Sequence, residues 1–276
     1  MLSIIKSIVK KILRPFVRPF FSRIQLAVRK ELEDTSPLSV SAKGRRNSIK
    51  LLRANEIAGV HYDTFSSYRH CYSGKKVVVL ATGPTLNNYT PIEGAIHIGV
   101  NSAFESNVRL DYLVVSDFDV AYRNETFYKG IEMLDCKKFF AYWLLESHQH
   151  KTCSESFAIK VKADRFYADL NNTKYPVDIR YNALASHGSV IFHALQFAIF
   201  TNPSELYLVG CDVSGAGHFN GDTTTDHIIV ENAQKYIKGY IKFKEFVSLH
   251  YPETKIISIN PVGLKGIFND IFTDND

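Results

Sequence analysis

Six short apolar runs, spread over the last two-thirds of the chain, constrain the fold more than any other feature. They are 77–80 (VVVL), 96–100 (IHIGV), 112–116 (YLVVS), 139–143 (FFAYW), 205–210 (ELYLVG) and 255–259 (KIISI). Each is too short for a core helix and rich in β-branched or aromatic residues, so each is expected to be a strand buried on both faces. Two intervening stretches read as helices: 189–200, apolar throughout and starting beside Gly188, and 228–250, which is amphipathic. Strands alternating with helices imply an α/β domain, expected over 75–276, with a mostly parallel sheet and helices on both faces.

In such sheets ligands bind outside the carboxyl ends of the strands. The polar residues of this chain stand at those ends: Thr82-Gly83, Asn101-Ser102, Asp117 and Asp212. Any one of them would serve as an ordinary loop residue or cap; four in a row point to a ligand. Gly83 allows the backbone to approach that ligand closely, and Pro84 withholds an amide donor. The Walker spacing with its Lys-Ser/Thr and the GxGxxG pattern are both missing, so Ala81-Thr82-Gly83-Pro84-Thr85 is not a triphosphate-gripping loop.

Ser186-His187-Gly188-Ser189 leads into the apolar helix, where free amides suit an anionic or carbonyl group and either serine could be a plain cap. Asp212 could accept hydrogen bonds from sugar hydroxyls or brace its loop. His218 and His227 lie in a polar stretch, 217–227, with the composition of a mobile lid. Either histidine is a natural general base for a hydroxyl, and either could be a surface residue. Asp117-Phe118-Asp119 could hold a divalent cation against a diphosphate. His148 and His150, with Cys153, lack a convincing ligand set and read as loop.

The N-terminal segment differs in kind. Apolar pairs recur every four residues from Ile4-Ile5 to Phe20-Phe21, with Lys6, Lys10, Arg14 and Arg18 between them. That stripe suits a helix lying in a membrane interface, although Pro15 and Pro19 would kink it and packing on a protein surface is the other reading. No uninterrupted apolar run approaches the roughly 20 residues needed to span a bilayer. Through Arg53 there are thirteen Lys/Arg against three acids, so of the net charge of +5 the remaining 223 residues carry −5. The charge therefore belongs to the leader, which disfavours a general nucleic-acid surface. Residues 1–33 are expected to be this amphipathic basic segment and 34–74 a linker and helical lead-in, polar over 34–50. The four cysteines are far apart and lack CxxC spacing, which argues against a disulfide framework or zinc site.

The ordered series "KKVVVLATGPTLNN", "IHIGVNSAF", "LDYLVVSDFD", "ASHGSVIFHALQFAI" and "ELYLVGCDVSG" resembles the bacterial sialyltransferases of glycosyltransferase family 42 and the related DUF115 proteins. The match covers roughly 75–261 and is one of order and strand-end residues. It implies a Rossmann-like, GT-A-type fold that uses a CMP-activated acidic sugar without a metal. Thr82-Gly83-Pro84-Thr85 then stands at the family's Asn-Gly-Pro-Ser loop near the nucleotide, and Asn101-Ser102 at its donor-contacting Asn-Gln. Ser186-His187-Gly188 matches its Thr-Ser-Gly turn near the cytidine and sugar carboxylate, and Gly210-Cys211-Asp212 its Gly-Ile-Asp. Val213 and Ser214 stand where the family has an aromatic hydroxyl. The family's catalytic histidine precedes the long helix, a place that His227 fits best, with His218 in reserve.

The resemblance implies a glycosyltransferase that moves a sialic acid-like or Kdo-like sugar from CMP to a hydroxyl of a bacterial surface glycan or glycolipid. No cofactor beyond the donor co-substrate is then expected. The basic helix would hold the enzyme at the cytoplasmic face of the inner membrane, and a homo-oligomer is left open. The alternatives are an ATP/Mg²⁺ diphosphokinase of the DUF115-like type and a metal-dependent UDP/GDP-sugar transferase using Asp117 and Asp119. A non-catalytic scaffold is the third class.

Overall fold

The computed structural model describes residues 42–119, 123–144, 151–224 and 226–273, with side chains from residue 51. The amphipathic segment 1–33 and His148 and His150 lie outside the described residues. No described helix is long and apolar enough to cross a membrane. The chain divides into a unit ending at Arg53 and a second, Ala54–Asp276.

Helix α1 (Ala42–Phe65) comes first, so 42–50 is helical where its polar composition reads as linker. The stretch after Pro37 holds no further proline, and Lys, Arg, Leu and Ala favour helix whatever their polarity. Its C-terminal half buries Ile57, His61, Thr64 and Phe65, which places it with the α/β unit and starts that unit some way before Lys75.

Nine strands follow: β1 (Lys76–Leu80), β2 (Ile96–Val100), β3 (Tyr112–Val115), β4 (Lys137–Trp143), β5 (Asp164–Asp169), β6 (Leu184–Ala185), β7 (Glu205–Val209), β8 (Lys255–Ile259) and β9 (Asn269–Ile271). They form one sheet in the order β6-β5-β4-β3-β2-β1-β7-β8-β9, and every pairing is parallel. Between them run α2 (Glu125–Met133), α3 (Glu155–Lys160), α4 (Ile191–Phe200) and α5 (Asp226–His250). The architecture is a Rossmann-like α/β fold, its sheet wholly parallel.

All six expected strands are present because each is covered on both faces. Along β1, Val77 and Val79 face one core with Phe65, α4 and α5; Val78 and Leu80 face a second with Phe127 and Ile131 of α2 and Ala158 of α3. Helix α4 is buried at all ten residues, which is why it is apolar all round. It also closes the sheet edge. Gln196 accepts from the Ala185 amide at 2.9 Å and donates to the Ala185 carbonyl at 2.8 Å, so a side-chain amide stands where the two-residue strand β6 would otherwise want a neighbour.

His61 pins α1 to the sheet. Its Nδ1–H donates to the Ile179 carbonyl at 2.7 Å, and Nε2 accepts from the Tyr167 amide at 2.6 Å. That arrangement requires the neutral ring, and burial, opposed by the Ile179 and Asn182 carbonyls, lowers its pKa from 6.5 to about 4. Between those values the unfolded chain holds the proton and the folded one does not. The contribution is therefore complete above pH 6.5 and is lost as pH falls toward 4, by up to about 3 kcal/mol. Urea midpoints measured from pH 7.5 to 4.5 should fall accordingly, and His61→Asn, which cannot titrate, should flatten the decline. Equal slopes for the two proteins would contradict this.

Candidate functional site

The strand order creates the site. The chain lays β2 to β6 outward on one side of β1, then returns through α4 to set β7 on the other side. The segment after β1 sends Leu86 to the core on one face and the segment after β7 leads to α5 on the other, and at such a switch point a crevice is expected beyond the carboxyl ends. A cavity of about 310 Å³ lies there, lined among others by Thr82, Gly83, Asn101, Ser102, Asp117, Gly188, Asp212 and His218. The polar strand ends that the sequence marks out thus meet in one place.

The turn after β1 is locked onto the end of β7. Gly83 N donates to Gly210 O at 2.8 Å, and a Cβ on Gly83 would sit 2.5 Å from both that carbonyl and Asp212 Oδ2. Its φ of −67° is ordinary, so glycine is needed for close approach rather than for backbone freedom. The buried Asp212 carboxylate accepts from Thr85 N at 2.9 Å and from the Thr85 hydroxyl. Burial raises its pKa above the usual carboxylate range, and the two Thr85 bonds oppose that rise. Asp212 thereby braces this turn from the cavity wall, while Pro84 and Thr85 lie outside the lining.

The stretch expected to be a mobile lid is stitched to the domain through His218, Phe219 and Asn220. Phe219 N donates to Thr82 O at 2.9 Å, Asn87 Nδ2 to Phe219 O at 2.8 Å, and Asn220 Nδ2 to Glu105 at 2.8 Å. This places His218 in the cavity wall with Nδ1 2.8 Å from Thr82 Oγ1. His227 is exposed in the first turn of α5 and does not line the cavity. Helix α5 begins at Asp226, earlier than its apolar periodicity indicates, and carries His227 away with it.

The Ser186–Ser189 turn contributes mainly backbone. Gly188 and Ser189 line the cavity, with Val190 and Ile191 of the uncapped α4 N-terminus. Ser186 and His187 are buried outside the lining, where Ser186 Oγ accepts from Gly188 N at 3.1 Å. His187 is held neutral, its pKa lowered to about 4 by burial, then by Lys242 and Lys235. Lys235 lies over Gly188 and also lines the cavity. A helix N-terminus with a lysine above it is a ready anion site.

Opposite elements supply a second set. Asn101, at a φ of 45°, lines the cavity with a buried Oδ1 that has no hydrogen-bond partner. Such an acceptor carries a desolvation cost until a ligand donates to it. Arg123 is a lining residue that sequence reasoning misses, because it stands six residues past Asp117, away from any strand end, and no motif singles it out. Its Nε donates to Asp117 O at 3.2 Å, its Nη1 lies 3.5 Å from Ser102 Oγ, and its guanidinium covers the Phe127 ring at 4.5 Å.

Asp117 Oδ1 accepts from Asp119 N at 3.1 Å, an Asx turn, and Asp119 does not line the cavity. Among the described residues no group of three or more His, Cys, Asp or Glu is placed to hold a metal ion. No protein-family model matches the chain, and neither does any curated protein. What the site offers chemically is a backbone wall at Gly83, a cationic helix end at Gly188, an orphaned amide acceptor and a histidine held by a hydroxyl. That combination suits a ligand with an anionic part and a hydrogen-bonding part.

Proposed function

We propose that this protein is a glycosyltransferase that moves an acidic, sialic acid-like or Kdo-like sugar from a CMP donor to a hydroxyl of a bacterial surface glycan or glycolipid. The observation that carries the reading is the meeting of the β1, β2, β3 and β7 ends, the α4 N-terminus and His218 around one cavity at the switch point. The ordered resemblance to family 42 sialyltransferases supplies the reaction class.

In this reading the α4 N-terminus and Lys235 take the nucleotide phosphate, and Asn101 takes a donor from the ligand. His218, with Nδ1 engaged by Thr82, removes the acceptor hydroxyl proton at Nε2 as the oxygen attacks the anomeric carbon. The bond from that carbon to the phosphate oxygen breaks, CMP leaves with the electron pair, and the configuration inverts. Tyr236, which lines the cavity from α5, supplies a hydroxyl near the leaving group where the family's aromatic hydroxyl is replaced by Val213 and Ser214. The basic segment 1–33 would keep the enzyme at a membrane surface that carries its acceptor.

Purified protein incubated with CMP-sialic acid, CMP-Kdo, UDP-sugars and GDP-sugars provides the test. Release of CMP in the presence of EDTA supports the reading. Turnover of only UDP- or GDP-sugars, abolished by EDTA, would replace it with the metal-dependent transferase and make Asp117 and Asp119 the ligands. Pyrophosphoryl transfer from ATP would replace it with the diphosphokinase.

A further inference from the structure

Arg123 is a cation brought into the cavity with no described carboxylate in ion-pair contact; burial disfavours its charge, and the Asp117, Glu105 and Asp222 carboxylates farther off favour it. Two of the five N–H groups of a guanidinium are accounted for, by Asp117 O and Ser102 Oγ, and nothing among the described residues takes the other three. No described carboxylate lies within ion-pair distance of it. The two bonds and the Phe127 ring beneath fix the plane of the group and leave its Nη edge for a ligand. A rigid, planar pair of donors is matched by a planar carboxylate, which accepts two parallel hydrogen bonds. The anion site at Gly188 and Lys235 belongs to other elements, α4 and α5, whereas Arg123 hangs from the ends of β2 and β3.

We propose that Arg123, rather than the Ser186-His187-Gly188 turn to which the resemblance assigns the sugar carboxylate, is the specificity-determining residue for the acid. Ser186 and His187 lie outside the cavity lining, and Arg123 pairs through its Nη edge with that carboxylate while the nucleotide phosphate lies at the α4 N-terminus. This rests on the nucleotide-sugar reading above and adds to it the residue that separates acidic from neutral donors. The unpartnered Asn101 Oδ1, at the neighbouring strand end, would then take a hydroxyl or amide hydrogen of the same ligand.

The test compares the unmodified protein with Arg123→Gln and Arg123→Lys, each checked by its melting transition, for affinity toward CMP and toward CMP-sialic acid. The expected result for Arg123→Gln is a loss of about 10- to 100-fold for CMP-sialic acid, with CMP affinity held within about twofold. Arg123→Lys, which keeps the charge but not the fork, should recover part of that loss; if Arg123→Gln fails to fold, a selective loss in Arg123→Lys decides in favour. An equal loss for both ligands in a folded variant would place Arg123 on the phosphate and overturn the proposal, as would no loss for either. Failure of the unmodified protein to bind CMP at all would overturn the nucleotide reading and this proposal together.

Discussion

His218→Gln should lower turnover of the sugar donor by about 10²- to 10⁴-fold, the usual worth of a positioned general base. His227→Gln should leave it within about twofold. The contrast follows from placement: His218 lines the cavity against Thr82, and His227 is exposed on the first turn of α5. Donor affinity should change little in His218→Gln, because the ring is assigned to the acceptor side and a group acting only in the transition state alters kcat rather than binding. Loss of activity in His227→Gln with His218→Gln unaffected would reverse the assignment. Steady-state CMP release by the three proteins settles it.

Gly83→Ala should be the most damaging small substitution in the site. The added carbon would meet Asp212 Oδ2 and Gly210 O at 2.5 Å, and neither can yield freely because both hold the turn in place. Overpacking against fixed polar groups costs about 2–3 kcal/mol, and the displaced Asp212 would release Thr85 and the wall of the cavity. Gly59→Ala is the matched comparison, since open space surrounds Gly59 within α1. There the same change should stabilise by about 0.5–1 kcal/mol, through helix propensity. Urea denaturation of both variants checks the pair, and a Gly83→Ala protein as stable as the parent would show that the close packing is wrong.

The fold was readable where burial was two-sided. Val77–Leu80 and Leu206–Val209 are apolar at successive positions because neither face of the sheet is open, and that pattern survives in a bare sequence. β5 escaped because only Phe166 and Ala168 of its six residues are buried, and β9 because it is three residues at an open edge. β6 escaped because its partner on one side is the Gln196 side chain, not another strand. Helix α1 was hidden by its polar outer face, and its docking on the sheet depends on His61, Thr64 and Phe65 meeting residues more than 70 positions away.

The site was readable at the strand ends, because a parallel sheet sends every carboxyl end to one side. Beyond those ends the reading depends on loop paths that composition does not encode. Pro84 and Thr85 looked like wall and proved to be the latch behind it, while Arg123, which nothing in the sequence singles out, proved to be wall. The polar stretch 217–224 has a lid's composition, yet Phe219 in it bonds through its amide to Thr82 and through its carbonyl to Asn87.

The switch-point cavity is proposed to bind a cytidine monophosphate donor. Thermal unfolding of the protein with CMP, UDP, GDP and ATP, each with magnesium and with EDTA, tests it most directly, since a ligand held by the native state raises the transition by mass action. CMP should give the largest rise, unchanged by EDTA. A rise with ATP, UDP or GDP that needs magnesium, and none with CMP, would contradict it.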